Sequence, residues 1–494
     1  MPKEFSVALR DSLNQELKRF LLREEGQEDL AFALWNPSYG AQRITALLHT
    51  AIWPGDGDRI QHGNVAFMPQ YFERVCKIAM KEGCGIAFMH SHIGPGWQSM
   101  SEDDTQAEAG IAGSVESLTD LPLVGLTLGT DGTWSARFWT HTGGKNFKRH
   151  WCRNVRVVGE QLSVFYANEV VPKPKLRELF KRTVAVWGEK NYNTLARLRV
   201  GIVGLGSVGS LVVEILARMG FKYVTLIDFD EIQPHNLDRL TIATAEDVHK
   251  LKVDIAKSKI ERIATAENIA VERVPFSVVE EDGYRAALDC DVIFSCVDRP
   301  RPRKILNHLA YAHLIPIIDG GIAVRFKNGE FSGADWQLQT VAPGRVCLEC
   351  LRAFTSDDAW TEEAGKMDDP SYLQGLPQNH HFKRNENVIP FAANLASLEV
   401  LHLIALVTGA AGQADFGVQR FRWIPGIMDS NILRNCEKYC DIDSLVARGD
   451  RDFVLFGKDP AAEAARRRQS KSKSVFIRLI PKIYVLEFLR KGSR

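Results

Sequence analysis

The stretch LRVGIVGLGSVGSLVVEILARMGFKYVTLIDFD, residues 198–230, constrains the fold more than any other part of the chain. An apolar run turns at Gly204, Gly206 and Gly209, a helical run follows, and a second apolar run ends at Asp228. Strand, glycine-rich turn, helix and strand in that order require a parallel sheet. DVIFSCVD and LIPIIDGG read as further buried strands of the same sheet. Glycines let the backbone approach a diphosphate, the helix N-terminus favours its charge, and Asp228 can take both ribose hydroxyls. On these residues alone an NAD or FAD enzyme fits about as well as an ATP enzyme.

The residues that follow separate the two. EIQPHNLDRL supplies Asn236 and Arg239, HKLKVDIAKSKI supplies Lys252 at a helix start, and DVIFSCVDRPRPR supplies Asp298 at a strand end and then Arg303. A dinucleotide dehydrogenase has no use for so many cations and a carboxylate beyond its first β-α-β unit. Phosphoryl chemistry has, because Arg and Lys neutralise a triphosphate and Asp298 can hold magnesium. Over about residues 176–445 this set resembles the ThiF/MoeB/E1 superfamily of adenylating enzymes. Asp228-Phe229-Asp230 through Arg239 stand for its DxDxVxxxNLxR element, with Ile232 at the Val position. Lys252 and Asp298 stand for its lysine and its strand-end aspartate.

The resemblance implies a nucleotide site of Gly204, Gly206, Gly209, Asp228, Asp230, Asn236, Arg239, Lys252 and Asp298. It also implies a homodimer, with Arg182 of LFKRTVAVWG as the arginine lent across the interface. The implied reaction is attack of a ubiquitin-like protein's C-terminal glycine carboxylate on the α-phosphate of ATP, with pyrophosphate leaving. Arg239 and Lys252 would stabilise the phosphate charge, and Asp298 with magnesium would orient it. Leu240 stands where the family commonly has Gln. Many such enzymes carry the acyl group on a cysteine before the last long helix, but residues 354–391 contain none. The acyl group then passes directly to an acceptor, or to a residue other than cysteine. Cys347 and Cys350, with Cys436 and Cys440, fall where the family often holds a structural zinc. The second pair is spaced by three residues rather than two, and buried reduced thiols, as for Cys290 and Cys296, are the other reading.

A second constellation lies upstream, in HSHIGPGWQSMSEDD, residues 90–104. His90 and His92 share one face of a strand. Two neutral imidazoles so placed can hold zinc, and Asp104 in the following helix can add a carboxylate, leaving a position for water. Singly, each residue has a plainer role: paired surface or core histidines, Ser101 as an N-cap, Asp104 as helix-dipole compensation. Together they resemble the JAMM (MPN/JAB) metalloproteases over about residues 20–140. The resemblance makes Glu28 the general base, His90, His92 and Asp104 the zinc ligands, and Ser101 the group that polarises the scissile carbonyl. Ile93 replaces the usual proline and the loop to Ser101 is one residue longer, which leaves Asp103 as a substitute ligand.

Of the 494 residues, 45% are hydrophobic and 25% charged, enough for several packed domains. The net charge of +1 supplies no field for nucleic acid or an anionic membrane. Nine cysteines and no apolar leader fit reduced thiols in the cytoplasm. The opening MPKEFSVALRDSLNQELKRF reads as an amphipathic helix start, and residues 387–409 as a buried helix rather than a membrane span. The fold class is α/β. The two resemblances imply an α+β JAB/MPN-like domain over residues 1–155, a linker over 156–180, a Rossmann-like adenylation domain with a mostly parallel sheet over 181–446, and a tail over 447–494. The run RRRQSKSKS, residues 466–474, reads most simply as a solvated loop, with a docking patch as the alternative. Joined, the two resemblances imply an enzyme of a bacterial ubiquitin-like pathway, with an E2-like partner and a role in antiphage defence. The alternatives are sulfur-carrier activation for cofactor or cysteine biosynthesis, and a scaffold that only binds a ubiquitin-like tail.

Overall fold

The computed structural model describes residues 3–62, 64–144, 146–377, 380, 386–409, 412–432, 435–451 and 456–469. The end of the basic run, 470–474, lies outside them.

The first half is a mixed sheet with helices on both faces. Its strands are β1 (Glu4–Arg10), β2 (Leu30–Tyr39), β3 (Arg43–Ile52), a small separate hairpin β4 (Arg59–His62) and β5 (Asn64–Phe67), β6 (Gly85–Ser91), β7 (Leu123–Leu128), β8 (Trp134–Gly143), β9 (Asn146–Trp151), β10 (Asn154–Val158) and β11 (Leu162–Tyr166). Nine of them pair in the order β11-β10-β1-β3-β2-β6-β7-β8-β9. The helices are α1 (Asp11–Leu21), α2 (Pro69–Glu82) and α3 (Glu102–Thr119). Strand β2 is apolar on both faces. Ala31, Ala33 and Trp35 pack with Leu13, Leu17 and Leu21 of α1. Leu30, Phe32 and Leu34 pack with Val75 of α2 and with Ala112 and Val115 of α3. Gly85 is required at the start of β6, because a Cβ there would lie 2.2 Å from the Trp35 ring.

Two expectations are corrected here. The helix at the N-terminus begins only at Asp11. Residues 4–10 are instead β1, hydrogen-bonded in parallel to both β3 and β10. Val7 and Leu9 point into the α1 core while Ala8 joins the opposite face, so pairing on both sides selects the two-residue period. The expected linker from 156 is also partly sheet, since β10 and β11 form an antiparallel pair at the sheet edge. The alternating apolar residues of NVRVVGEQLSVFY complete a layer that would otherwise end at β1.

The second half contains β12 (Arg199–Val203), β13 (Tyr223–Ile227), β14 (Ala270–Val274), β15 (Val292–Ser295), β16 (Ile317–Lys327), β17 (Glu330–Val341), β18 (Val418–Arg422) and β19 (Ile427–Asn431). The order is β14-β13-β12-β15-β16-β17-β18-β19. Pairing is parallel from β14 to β16 and antiparallel beyond. Its helices are α4 (Lys181–Arg197), α5 (Ser207–Arg218), α6 (Lys252–Ile263), α7 (Glu281–Leu288), α8 (Pro300–Ala312), α9 (Ser356–Glu363), α10 (Pro370–Gly375) and α11 (Ile389–Thr408). Separate apolar cores cover the two faces of the parallel part. Helix α11 is long and apolar enough to cross a bilayer, but 67% of its apolar window is buried inside the protein, with Leu395, Ala396 and Leu403 in its cores.

The halves share a core and a charged seam. Ala8, Leu47, Val158 and Leu162 of the first sheet join the cluster built on β12 and α5. Beside them Arg43 donates to Asp291 at 2.6 Å, both side chains fully buried. Residues 447–450 also bind across the seam: Asn36 Nδ2 donates to the Ala447 carbonyl at 3.0 Å, and Tyr39 N to Asp450 Oδ2 at 2.6 Å. The start of the expected tail is thus part of the folded body. The described part of the basic run, residues 466–469, is likewise the end of a helix over residues 460–469 rather than a solvated loop.

Candidate functional sites

At the first site, the β2–β6 register pairs Leu30 with His90, and Ser91 N donates to the Asp29 carbonyl at 3.0 Å. Glu28 lies just before this strand, near enough for its charge to act on His92. Ser101 caps α3 by a capping box. Its hydroxyl oxygen accepts from Asp104 N at 3.0 Å, and Asp104 Oδ2 accepts from Ser101 N at 2.9 Å. The box aims the Asp104 carboxylate back at the strand end. His90 Nε2 and His92 Nε2 lie 3.1 Å apart, and Asp104 lies 3.2 Å from His92 and 3.3 Å from His90. Ligand atoms about 2.0–2.1 Å from a tetrahedral zinc stand about 3.3–3.4 Å apart, so this triangle fits the ion. The bonds from the two imidazoles hold Asp104 far below the usual carboxylate range although burial opposes this. The hydrogen bond to Asp104 raises His92 against burial, and the charge of Glu28 adds to it. Asp103 is exposed and outside the triangle.

At the second site, the turn after β12 needs Gly204 at φ +90°, where a Cβ would lie 2.5 Å from the Cys296 carbonyl. A Cβ at Gly209 would meet the Gly204 carbonyl at 2.0 Å, whereas Gly206 faces open space. Asp228, at the end of β13, accepts from Leu205 N at 2.6 Å and from Asp230 N at 2.7 Å. Lys252 Nζ sits 2.8 Å from Asp230 and 3.8 Å from Asp228. Burial works against its charge, but Asp228, Asp230 and the more distant Asp298 hold it protonated. Asp298 is exposed just beyond β15. Asn236 accepts from Gln233 N at 3.0 Å, and half-buried Arg239 donates to the His235 carbonyl at 2.6 Å. These bonds shape the loop leading to Lys252, with Leu240 buried behind it.

Some residues fall elsewhere than the sequence suggests. Arg182 is exposed on α4, outside the network that joins Asp228, Asp230 and Lys252. Arg303 is committed to structure, donating to Asp319 at 3.1 Å and to the Gly320 carbonyl at 3.0 Å. Asn387 went unnoticed in the sequence, yet its Nδ2 donates at 2.7 Å to Ser207 Oγ in the first turn of α5.

The four thiols converge. Cys347, Cys350, Cys436 and Cys440 place their sulfurs within 4.8 Å of one another, with Cys347 and Cys440 3.8 Å apart. Thiolates about 2.3 Å from a tetrahedral zinc stand about 3.8 Å apart. Backbone N–H groups already point at them: Cys347 N at Cys436 Sγ (3.3 Å), Cys350 N at Cys347 Sγ (3.4 Å) and Glu437 N at Cys350 Sγ (3.4 Å). The set fits a structural zinc, and the longer second spacing does not prevent it.

Residues 180–432 match the ThiF family. The chain belongs to the ThiF family. Molybdopterin-synthase adenylyltransferase of Escherichia coli K12 is 32% identical over 172 residues, covering 34% of this chain and 65% of that protein. The ubiquitin-activating enzyme E1-like protein of Saccharomyces cerevisiae is 25% identical over 177 residues, covering 35% of this chain and 26% of that protein. The ThiF protein thus spans less than two thirds of these relatives' length. Among solved structures, E. coli MccB with ATP is 18% identical with a TM-score of 0.41, over 54% of this chain and 74% of that one. The ThiF match contains the whole second site and begins beyond the histidine–aspartate triangle.

Proposed function

We propose that this ThiF protein adenylates the C-terminal carboxylate of a ubiquitin-like or sulfur-carrier protein, and hydrolyses a bond at that same terminus with the N-terminal JAB/MPN-like site. The observation that carries the first activity is the Lys252 cation lodged between Asp228 and Asp230 beside the glycine turn. Lys252 and Arg239 stabilise the triphosphate as pyrophosphate departs, Asp228 takes the ribose, and Asp298 would hold magnesium, whose charge would offset that of the phosphates. The relatives' names, a molybdopterin-synthase adenylyltransferase and an E1-like enzyme, support activation of a small protein's carboxylate.

For the second activity, His90, His92 and Asp104 would hold a zinc ion, which would supply a Lewis acid and an acidified water. Glu28 takes the water's proton and Ser101 donates its hydroxyl hydrogen to the developing oxyanion. A ubiquitin-like conjugation pathway of the antiphage kind, with an E2-like partner and a homodimeric ThiF domain, unites trimming and activation of one tail. Sulfur-carrier activation is the second reading, favoured by the molybdopterin relative and by the lack of cysteine in residues 354–391.

The test is exchange of labelled pyrophosphate into ATP with candidate small proteins. The full chain is expected to exchange, and Asp298→Ala to lower the rate about tenfold or more. Equal rates remove Asp298 from the magnesium site. A wild-type chain that binds a tail without exchange with any partner is a scaffold instead.

A further inference from the structure

The ThiF match ends at residue 432, yet a later helix reaches the nucleotide motif. The helix over 460–469 is capped by Asp459, whose Oδ1 accepts from Ala461 N at 3.0 Å. It buries Ala461, Ala462 and Ala465. Its last turn carries Arg466, Arg467, Arg468 and Gln469, the start of the basic run. Arg467 pairs with Glu463 of its own helix and is mostly exposed. Arg466 and Gln469 do something else. Arg466 Nη1 donates to Glu280 Oε2 at 3.0 Å, a second Arg466 nitrogen reaches the other carboxylate oxygen, and the guanidinium lies over the Phe276 ring. Glu280 in turn accepts from Ser277 N at 3.0 Å in the loop after β14. Gln469 Nε2 donates to the Phe229 carbonyl at 3.3 Å.

That carbonyl lies between Asp228 and Asp230, the carboxylates that hold Lys252 and the glycine turn. The helix therefore bridges the C-terminal ends of β13 and β14, the side of a parallel sheet where ligands bind. An unrestrained Phe229–Asp230 peptide can rotate, and rotation would move the Asp230 N–H off Asp228. We propose that Gln469, anchored by the bidentate Arg466–Glu280 pair, is a positioning residue for the nucleotide: it fixes the Asp228–Asp230 turn in its ribose-binding form. This rests on the adenylation reading above.

The test is calorimetric titration of full-length protein with ATP and magnesium, with the melting temperature of nucleotide-free protein read in parallel. Gln469→Ala and Gln469→Glu both remove the amide donor. Each is expected to weaken ATP binding about fivefold, the worth of one hydrogen bond, with the melting temperature unchanged. Arg466→Glu is expected to weaken it at least as much, and Arg466→Glu with Glu280→Arg to recover most of the loss. Wild-type affinity in Gln469→Ala, or a loss that the charge swap leaves uncorrected, overturns the proposal. If the unaltered chain itself binds no ATP, the adenylation reading has failed and takes this one with it. Binding by the unaltered chain with no difference among the variants sinks this one alone.

Discussion

Asp104 answers to two demands, and the geometry shows how one side chain meets both. Its Oδ2 closes the capping box on Ser101 N while lying 3.2 Å from His92, so the fold of α3 itself aims a ligand. If both sites hold zinc as proposed, elemental analysis is expected to find two per chain, with His92→Ala losing one and Cys350→Ser the other independently. Loss of both metals from either variant contradicts two separate sites. On the proposed hydrolytic reading, Glu28→Gln is expected to retain the metal and abolish cleavage of a C-terminally extended ubiquitin-like protein, because it would remove the base but no ligand. Unchanged cleavage takes Glu28 out of the reaction. At the second site, Lys252→Met leaves Asp228 and Asp230 facing each other without their cation. ATP–pyrophosphate exchange is expected to fall by about a hundredfold or more, since the lysine's charge is needed both for the phosphates and for the fold of the turn.

Elements whose neighbours are close in sequence were legible, and those whose neighbours are distant were not. The β12–α5–β13 unit, the His90–His92 strand and the α3 cap are local, so spacing alone placed Gly204, Asp228, His92 and Asp104. Strand β1 is not legible because EFSVALR runs straight into a helix, and only its parallel pairing with β3 and β10, both distant in sequence, makes residues 4–10 a strand. Asn387 reaches Ser207 after the glycine turn, and Gln469 the Asp228–Asp230 turn, from far along the chain, which no local pattern records. Arg182 carried only a family expectation, with no packing signal behind it. Helix α9 shows what such distant packing does to a titrating group. Burial raises Glu362 to about 7, against the pull of the Arg301 N–H, which donates at 2.7 Å, and of Arg299. A carboxyl whose folded pKa exceeds its unfolded value takes up a proton on folding. Its stabilisation is whole below the unfolded pKa, near 4.5, and is lost as pH rises through about 7. In urea unfolding series, Glu362→Gln is therefore expected to flatten the decline of stability over that window by up to about 1.4 kcal/mol per pH unit. Parallel curves for the two proteins exclude the raised pKa.

Over the whole molecule, the seam decides whether the halves are separate modules or one folding unit. Burial alone would favour a neutral Asp291, but Arg43 and Arg156 hold its carboxyl well below the ordinary range. It also accepts from Arg199 N at 2.9 Å, at the first residue of β12, and from Asn154 Nδ2 at 3.2 Å in β10. Arg43 further donates to the Cys290 carbonyl at 2.6 Å. The charged knot ties β3 and β10 of the first half to β12 and β15 of the ThiF half, and Ala8, Leu47, Val158 and Leu162 complete a core that crosses the boundary. Two consequences are measurable by chemical denaturation. The unaltered chain is expected to unfold in one transition by circular dichroism and tryptophan fluorescence, since a stable half on its own would expose both the knot and the shared core. Arg43→Met is expected to lower stability by about 3–5 kcal/mol, because it leaves Asp291 buried without its nearest cation. If each half melts separately and Arg43→Met shifts only the first, the seam is a contact between independent domains. The two sites would then be free to move relative to each other on the way from one bound tail to the next reaction.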